Sequence, residues 1–314
     1  MKNFVHVSNL TKNYGSFCAV DNLSFDVYEG ETFGFLGPNG AGKSTTLSII
    51  ATLLEYESGT IIVNNKDLKK DKGSIQNILG WIPQDVAFYS HLNALENVQY
   101  FASLYGLKGK EVKRAAMEAL DFVGLTEHMK KKPSQMSGGM KRRLNIACGI
   151  SHNPKLIIMD EPTVGVDAQS RDHILNSIKV LKKRGATVIY TSHYMQEVEE
   201  ICDRIAIIDR GKLLVVGAFE ELISKLATSK PFTIVTNIKS EDISALKKQI
   251  LACTGIQRVN ITNNSIRLEV NPAQENISHI IKVIVEQGIP IIDICSDAIN
   301  LETIFLTLTD HELR

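Results

Sequence analysis

The sequence predicts two domains: an α/β unit over residues 1–225 and a small α+β unit over residues 226–314. Three observations carry this expectation. Through the first two-thirds, short continuous apolar runs alternate with longer stretches of helical periodicity, as in a parallel sheet whose strands are buried on both faces. One such run, Phe33-Gly34-Phe35-Leu36, leads through a glycine-rich turn into a helical pattern that begins at Lys43. From about residue 231 the order becomes strand, helix, two strands, helix, strand and a last helix.

In chain order, Phe33–Leu36 reads as the first clear strand, and Lys43 to Ile50 as the helix after it. Residues from about 85 to 150 turn helical and are expected to form a subdomain. Within it, Glu111 to Val123 places Val112, Ala116, Leu120 and Val123 on one face. Leu156-Ile157-Ile158-Met159-Asp160, Thr187-Val188-Ile189-Tyr190-Thr191 and Ala206-Ile207-Ile208 follow as buried strands. In the second unit, strands are expected at Phe232–Val235, Gln257–Thr262, Ile266–Val270 and Pro290–Ile294. Asn263-Asn264-Ser265 reads as a tight hairpin turn. Helices are expected at Glu241–Ala252, Gln274–Glu286 and Leu301–Leu308. That order is ferredoxin-like, and so small a core is expected to lean on the first domain or on a second copy.

Composition narrows the function. Lys+Arg and Asp+Glu are both 35, so no basic excess points to nucleic acid, and no nucleic-acid partner is expected. No apolar run reaches the roughly 18 residues of a membrane helix, so a membrane role is expected to be peripheral. The start, Met1 to His6, lacks the apolar core of a signal peptide. Cys18, Cys148, Cys202, Cys253 and Cys295 are scattered without a CxxC pair, as reduced buried thiols would be.

Gly37-Pro38-Asn39-Gly40-Ala41-Gly42-Lys43-Ser44, followed by Thr45, satisfies the G-x-x-x-x-G-K-[ST] phosphate loop. Its glycines allow positive φ, so successive N–H groups can converge on phosphate oxygens, and the following helix adds its positive dipole end. Lys43 is expected to reach the β- and γ-phosphates, and the Ser44 hydroxyl to ligate Mg²⁺. Asp160 and Glu161 end a buried strand, where ligands sit in parallel sheets. Asp160 is placed to hold Mg²⁺, directly or through water, and Glu161 to polarise an attacking water. His193 also follows a strand, which favours a contact to the γ-phosphate or the water. The other histidines (His6, His91, His128, His152, His173, His279 and His311) read as structural or solvated. Gln84, in Trp81-Ile82-Pro83-Gln84, is by itself an unremarkable loop amide.

Met136-Ser137-Gly138-Gly139-Met140 opens a helical run about twenty residues before the Asp160–Glu161 pair. With it, residues 3–217 resemble the ABC ATPases, a P-loop NTPase cassette with a helical subdomain. In that resemblance Gln84 is the Q-loop glutamine beside Mg²⁺. Ser137-Gly138-Gly139 is the signature, Val166-Asp167 the D-loop, and His193 the switch histidine. A serine and two glycines at a helix start make a second anion site. The resemblance implies that this site caps the γ-phosphate of ATP bound to a second subunit, in a dimer. Tyr14 matches the aromatic that stacks on adenine. Met136, Met140 and Val166 depart from the commoner residues without removing a catalytic group.

Gly138 to Arg143, Thr163 to Asp167 and the ending Asn300 to Thr309 look like ATP-binding subunits of ABC-2-type exporters, of the antibiotic-resistance and sodium-export kinds. The resemblance implies an ATP-hydrolysing subunit on the cytoplasmic face of the membrane, driving a separate membrane-spanning permease. Phe88 and Tyr89, just past Gln84, are expected to help form the groove for a partner helix. A soluble ABC ATPase with a regulatory or remodelling role is the alternative.

Overall fold

The computed structural model describes residues 2–226, 230–238, 243–271, 277–296 and 301–309. They fall into two compact units, one built on residues 1–219 and the other on residues 220–307. The first unit opens with β1 (Asn3–Tyr14) and β2 (Phe17–Tyr28), a long antiparallel pair. β3 (Thr32–Leu36) and α1 (Lys43–Ile50) follow, then β4 (Ser58–Val63), β5 (Lys66–Asp67), α2 (Lys72–Gln76) and β6 (Leu79–Ile82). The helical segment comprises α3 (Ala94–Leu104), α4 (Lys110–Phe122) and α5 (Gly138–Ile150). After it come β7 (Leu156–Asp160), α6 (Ala168–Lys183), β8 (Thr187–Thr191), α7 (Met195–Ile201), β9 (Arg204–Asp209) and β10 (Lys212–Gly217), and α8 (Phe219–Leu226) then begins the second unit.

Two sheets result. One has the order β2-β1-β4-β5, and the other β10-β9-β3-β8-β7-β6. In the second sheet the pairs β9–β3, β3–β8, β8–β7 and β7–β6 are parallel, and β10 closes one edge antiparallel to β9. Every residue of β3, β7 and β8 is buried, which is why these strands read as unbroken apolar runs. Val5, Val7, Leu10 and Phe25 of the first sheet share a core with Phe33, Phe35, Ile158 and Ile189 of the second and with Leu47 and Ile49 of α1. In α4, Ala116, Leu120 and the adjoining Val123 are buried as the periodicity predicts, while Val112 is only half-buried. α3 begins at a capping box: Glu96 N donates to Asn93 Oδ1 at 2.9 Å, and Asn93 N donates to Glu96 Oε2 at 2.8 Å.

The second unit contains β11 (Lys230–Thr236), α9 (Ile243–Leu251), β12 (Ile256–Ile261), β13 (Ser265–Val270), α10 (Ile277–Glu286), β14 (Ile291–Ser296) and α11 (Leu301–Thr309). Its sheet order is β12-β13-β11-β14, antiparallel throughout, as a ferredoxin-like chain order requires. The hairpin between β12 and β13 turns at Thr262–Asn264, where Thr262 N donates to Ser265 O at 2.8 Å. Of the expected helices and the ending motif, residues 241–242, 274–276 and 300 lie outside the described residues.

Candidate functional site

The site is assembled by sheet order. β3, β8, β7 and β6 are consecutive neighbours and run parallel, so their carboxyl ends form one edge. From that edge β3 releases residues 37–42, β8 leads to His193, β7 ends in Asp160, and β6 leads to Gln84. Adjacent strands are ~4.8 Å apart, so segments far apart in sequence are brought within ~15 Å.

The glycine-rich turn needs glycine where the chain is tight. Gly40 and Gly42 have φ of 82° and 98°, and a Cβ on Gly42 would meet Ala19 O at 2.4 Å. The Lys43 ammonium is buried and donates to Gly37 O at 2.7 Å and Pro38 O at 3.1 Å. Burial pushes its pKa below the ordinary lysine range, opposed by the Glu161 and Asp160 carboxylates. Ser44 is exposed at the mouth of the turn.

Asp160 and Glu161 are both buried. Thr191, at the end of the neighbouring strand, serves both: its hydroxyl donates to Asp160 Oδ1 at 2.7 Å and accepts from Glu161 N at 2.9 Å. Glu161 has a φ of 50°, a left-handed conformation rare for a residue with a side chain. The turn aims its carboxylate between two partners. Gln84 Nε2 donates to Oε2 at 2.9 Å, and His193 Nε2 lies 2.5 Å from Oε1. Gln84, Asp160, Glu161 and His193 thus form one connected group with Lys43 beside it.

Ser137 caps α5, accepting from Met140 N at 3.2 Å. Asp167 caps α6, accepting from Ser170 N at 2.8 Å and Ser170 Oγ at 2.9 Å, which holds its carboxyl below the usual range. The two caps pack together. A Cβ on Gly139 would sit 2.1 Å from Ser170 Oγ, so only glycine fits there. Tyr14 is half-exposed at the end of β1, with Lys12 Nζ 5.5 Å from its ring centroid.

Several supporting residues escape a reading by sequence pattern. Thr191 looks like any β-branched strand residue. The Gln84 segment is pinned from α5, where Arg142 Nη1 and Asn145 Nδ2 donate to Pro83 O at 3.1 and 3.3 Å. Asn145 Oδ1 also accepts from Ala87 N at 3.0 Å. Asn97 of α3, fully buried, bonds the carbonyls of Tyr89, Leu92 and Asn93. No pattern marks these amides as different from surface asparagines.

Comparison with known proteins agrees with the geometry. The ABC transporter family matches over residues 20–164. Over 312 residues the chain is 40% identical to the linearmycin resistance ATP-binding protein LnrL of Bacillus subtilis (strain 168), covering 99% of each protein. The chain belongs to the ABC transporter family. As an ABC ATPase it binds and hydrolyses ATP. It is also 29% identical to the daunorubicin resistance ATP-binding protein DrrA3 of Streptomyces coeruleorubidus, over 99% of this chain and 97% of that one. Among solved structures, a dimeric post-hydrolysis state of an ATP-binding cassette bound to ADP and Pi aligns with a TM-score of 0.62. It is 28% identical and covers 68% of this chain and 98% of the other.

Proposed function

We propose that this ABC ATPase works as a pair of copies that power export through a separate membrane-spanning permease, from the cytoplasmic face of the membrane. The observation that carries the catalytic part is the Gln84–Glu161–His193 group at the carboxyl edge of the sheet. ATP lies with its phosphates in the turn of Gly37 to Thr45, bound by backbone N–H groups and Lys43, and its adenine stacks on Tyr14. Glu161 accepts a proton from the attacking water, and His193 orients Glu161 and contacts the γ-phosphate.

The oxygen donors at this edge suit Mg²⁺. Ser44, Asp160 and Gln84 supply a hydroxyl, a carboxylate and an amide oxygen. Among the described residues no group of three or more His, Cys, Asp or Glu could cage a metal. That fits an ion which keeps waters and takes phosphate oxygens as partners. When bound, it neutralises charge on the phosphates.

The Ser137–Gly139 helix start offers N–H donors to a phosphate, and the reading assigns it to ATP held by the other copy, with Asp167 beside it. The permease is supported by two features. Among the described residues no helix is long and apolar enough to cross a membrane. Beside the Gln84 segment lies a groove lined by Leu53, Trp81, Ala87, Phe101 and Leu104, with Leu53 and Leu104 about three-fifths exposed. Its lining aromatic side chains are Trp81, Phe101 and Tyr105; Tyr89 stands edge-on to Tyr100, with ring centroids 4.8 Å apart. The resistance proteins LnrL and DrrA3 support export as the direction.

A mixed dimer tests the shared site. One copy carries Lys43→Ala and the other Ser137→Arg. If Ser137 serves the partner's ATP, both lesions fall on one site and the other is intact, so one nucleotide is occluded per mixed dimer. A verified mixed dimer with neither turnover nor single-site occlusion overturns the shared site.

A further inference from the structure

Glu197, in α7, is a charged residue with no exposed surface. Three hydroxyls converge on its Oε2: Thr163 Oγ1 at 2.8 Å, Tyr190 OH at 2.6 Å and Ser192 Oγ at 2.7 Å. Arg171 Nε lies 2.8 Å from the other oxygen. These partners come from four places that matter to the site. Thr163 is two residues past Glu161, Tyr190 is in β8, Ser192 immediately precedes His193, and Arg171 is in the first turn of α6, just past Asp167. Tyr194, on the other side of His193, is held by the same cluster. Its N–H donates to Ser192 Oγ at 3.0 Å, and the Arg171 guanidinium lies 5.5 Å from its ring centroid. Burial and the nearby Glu197 carboxylate push the Tyr190 hydroxyl well above its ordinary pKa, so it stays a donor.

Burying a carboxylate costs several kcal/mol unless its lone pairs are used, and an apolar residue of similar size often serves stability as well or better. Packing alone therefore does not account for an acid here. What an acid supplies, and an apolar side chain does not, is one acceptor that fixes several donors relative to each other. We propose that Glu197 is a positioning residue. It sets where His193 stands against Glu161, and it ties the His193 segment to the segment that carries Asp167. The proposal rests on the roles given above to Glu161 and His193.

The test compares Glu197→Gln, Ser192→Ala and Thr163→Val in the full chain, with Glu161→Gln in parallel. Glutamine keeps the shape and one acceptor oxygen but loses the ion pair with Arg171. We expect kcat to fall about 10- to 100-fold, because misplacing reacting groups by a fraction of an ångström to 1 Å has that scale of effect. ATP affinity should stay within about threefold, since the loss is in the chemical step and not in ground-state binding. Thr163→Val removes one bond to Glu197, and Ser192→Ala removes one to Glu197 and the one from Tyr194 N, neither stranding a charge, so they keep the test alive should Glu197→Gln fail to fold. Their effects on kcat should be less than multiplicative when combined, as for residues acting as a unit. Parent-level kcat in folded Glu197→Gln, or in both Ser192→Ala and Thr163→Val, overturns the proposal, even if melting temperature falls. If Glu161→Gln is inactive while these variants are as active as the parent, the inference about Glu197 alone fails. If Glu161→Gln turns over normally, the reading of the site itself fails.

Discussion

His193 Nε2 and Glu161 Oε1 are 2.5 Å apart, and Gln84 Nε2 holds the other oxygen of the same carboxylate at 2.9 Å. Both carboxylate oxygens are therefore aimed by side chains two residues past the carboxyl ends of the two strands flanking β7. Movement of either the Gln84 or the His193 segment shifts the proposed base directly. The Gln84 segment also borders the apolar groove, so a helix seated there is within reach of the chemistry.

Glu161→Gln should lower kcat by about 10²- to 10⁴-fold, the range assigned to a positioned general base, because an amide does not accept the proton. ATP affinity should be unchanged, since Lys43 and the turn of Gly37 to Thr45 are untouched. Steady-state hydrolysis beside equilibrium ATP binding checks both halves. Normal turnover removes Glu161 from the role of base.

Thr191→Val should destabilise the protein by about 1–3 kcal/mol, because it leaves Asp160 Oδ1 and the Glu161 N–H without a buried partner. Activity should fall with it, as both carboxylates lose their alignment, and Thr191→Ser should recover much of each loss. Urea denaturation and ATPase assays on the three proteins make the comparison.

Gly139→Ala should have the opposite sign from an ordinary helix substitution. Alanine in a helix interior normally gains about 1 kcal/mol over glycine. Here its Cβ would sit 2.1 Å from Ser170 Oγ and 2.6 Å from Ser170 Cβ, and such overpacking costs about 1–3 kcal/mol. Gly138→Ala is the control, because its Cβ would meet only Gly165 O at 3.6 Å. Thermal melts should show a loss for Gly139→Ala and none for Gly138→Ala, and equal melts contradict the packing account.

His152 should make stability depend on pH. Its ring stacks flat on Tyr105, Nε2 bonds Leu79 O at 3.0 Å, and buried Nδ1 has no partner. Burial pushes its pKa from 6.5 down to about 4. Between those values the unfolded chain binds the proton and the folded one does not, so the contribution is present above about pH 6.5 and lost as pH falls toward 4. The loss amounts to roughly 3 kcal/mol. His152→Phe keeps a flat ring and removes the titration, so its urea-denaturation stability should fall less steeply between about pH 7 and about pH 4.5. Equal slopes for the two proteins rule the account out.

Much of this molecule is legible where the chemistry is local. The turn of Gly37 to Ser44 is consecutive, and its glycines and lysine carry their reasons within eight residues. β3, β7 and β8 are plain because both faces are buried, and the βαββαβ order of the second unit follows from turns and periodicity. The long β1–β2 pair is not plain. Register shifts along it, and positive φ at Asn9 and Asn22, break the alternation that marks a strand.

Other features depend on which strands become neighbours. Sequence order does not state that β8 lies between β3 and β7, yet that placement puts the Thr191 hydroxyl on Asp160 and His193 on Glu161. The need for glycine at 139 comes from Ser170 on another helix, and the burial of Glu197 is tolerable only because three hydroxyls, from the Thr163 turn and the end of β8, and Arg171 meet it. Residue type and spacing encode backbone conformation and the identity of chemical groups. The distances between those groups are set by long-range strand pairing and close packing, which bring together side chains that no local pattern relates.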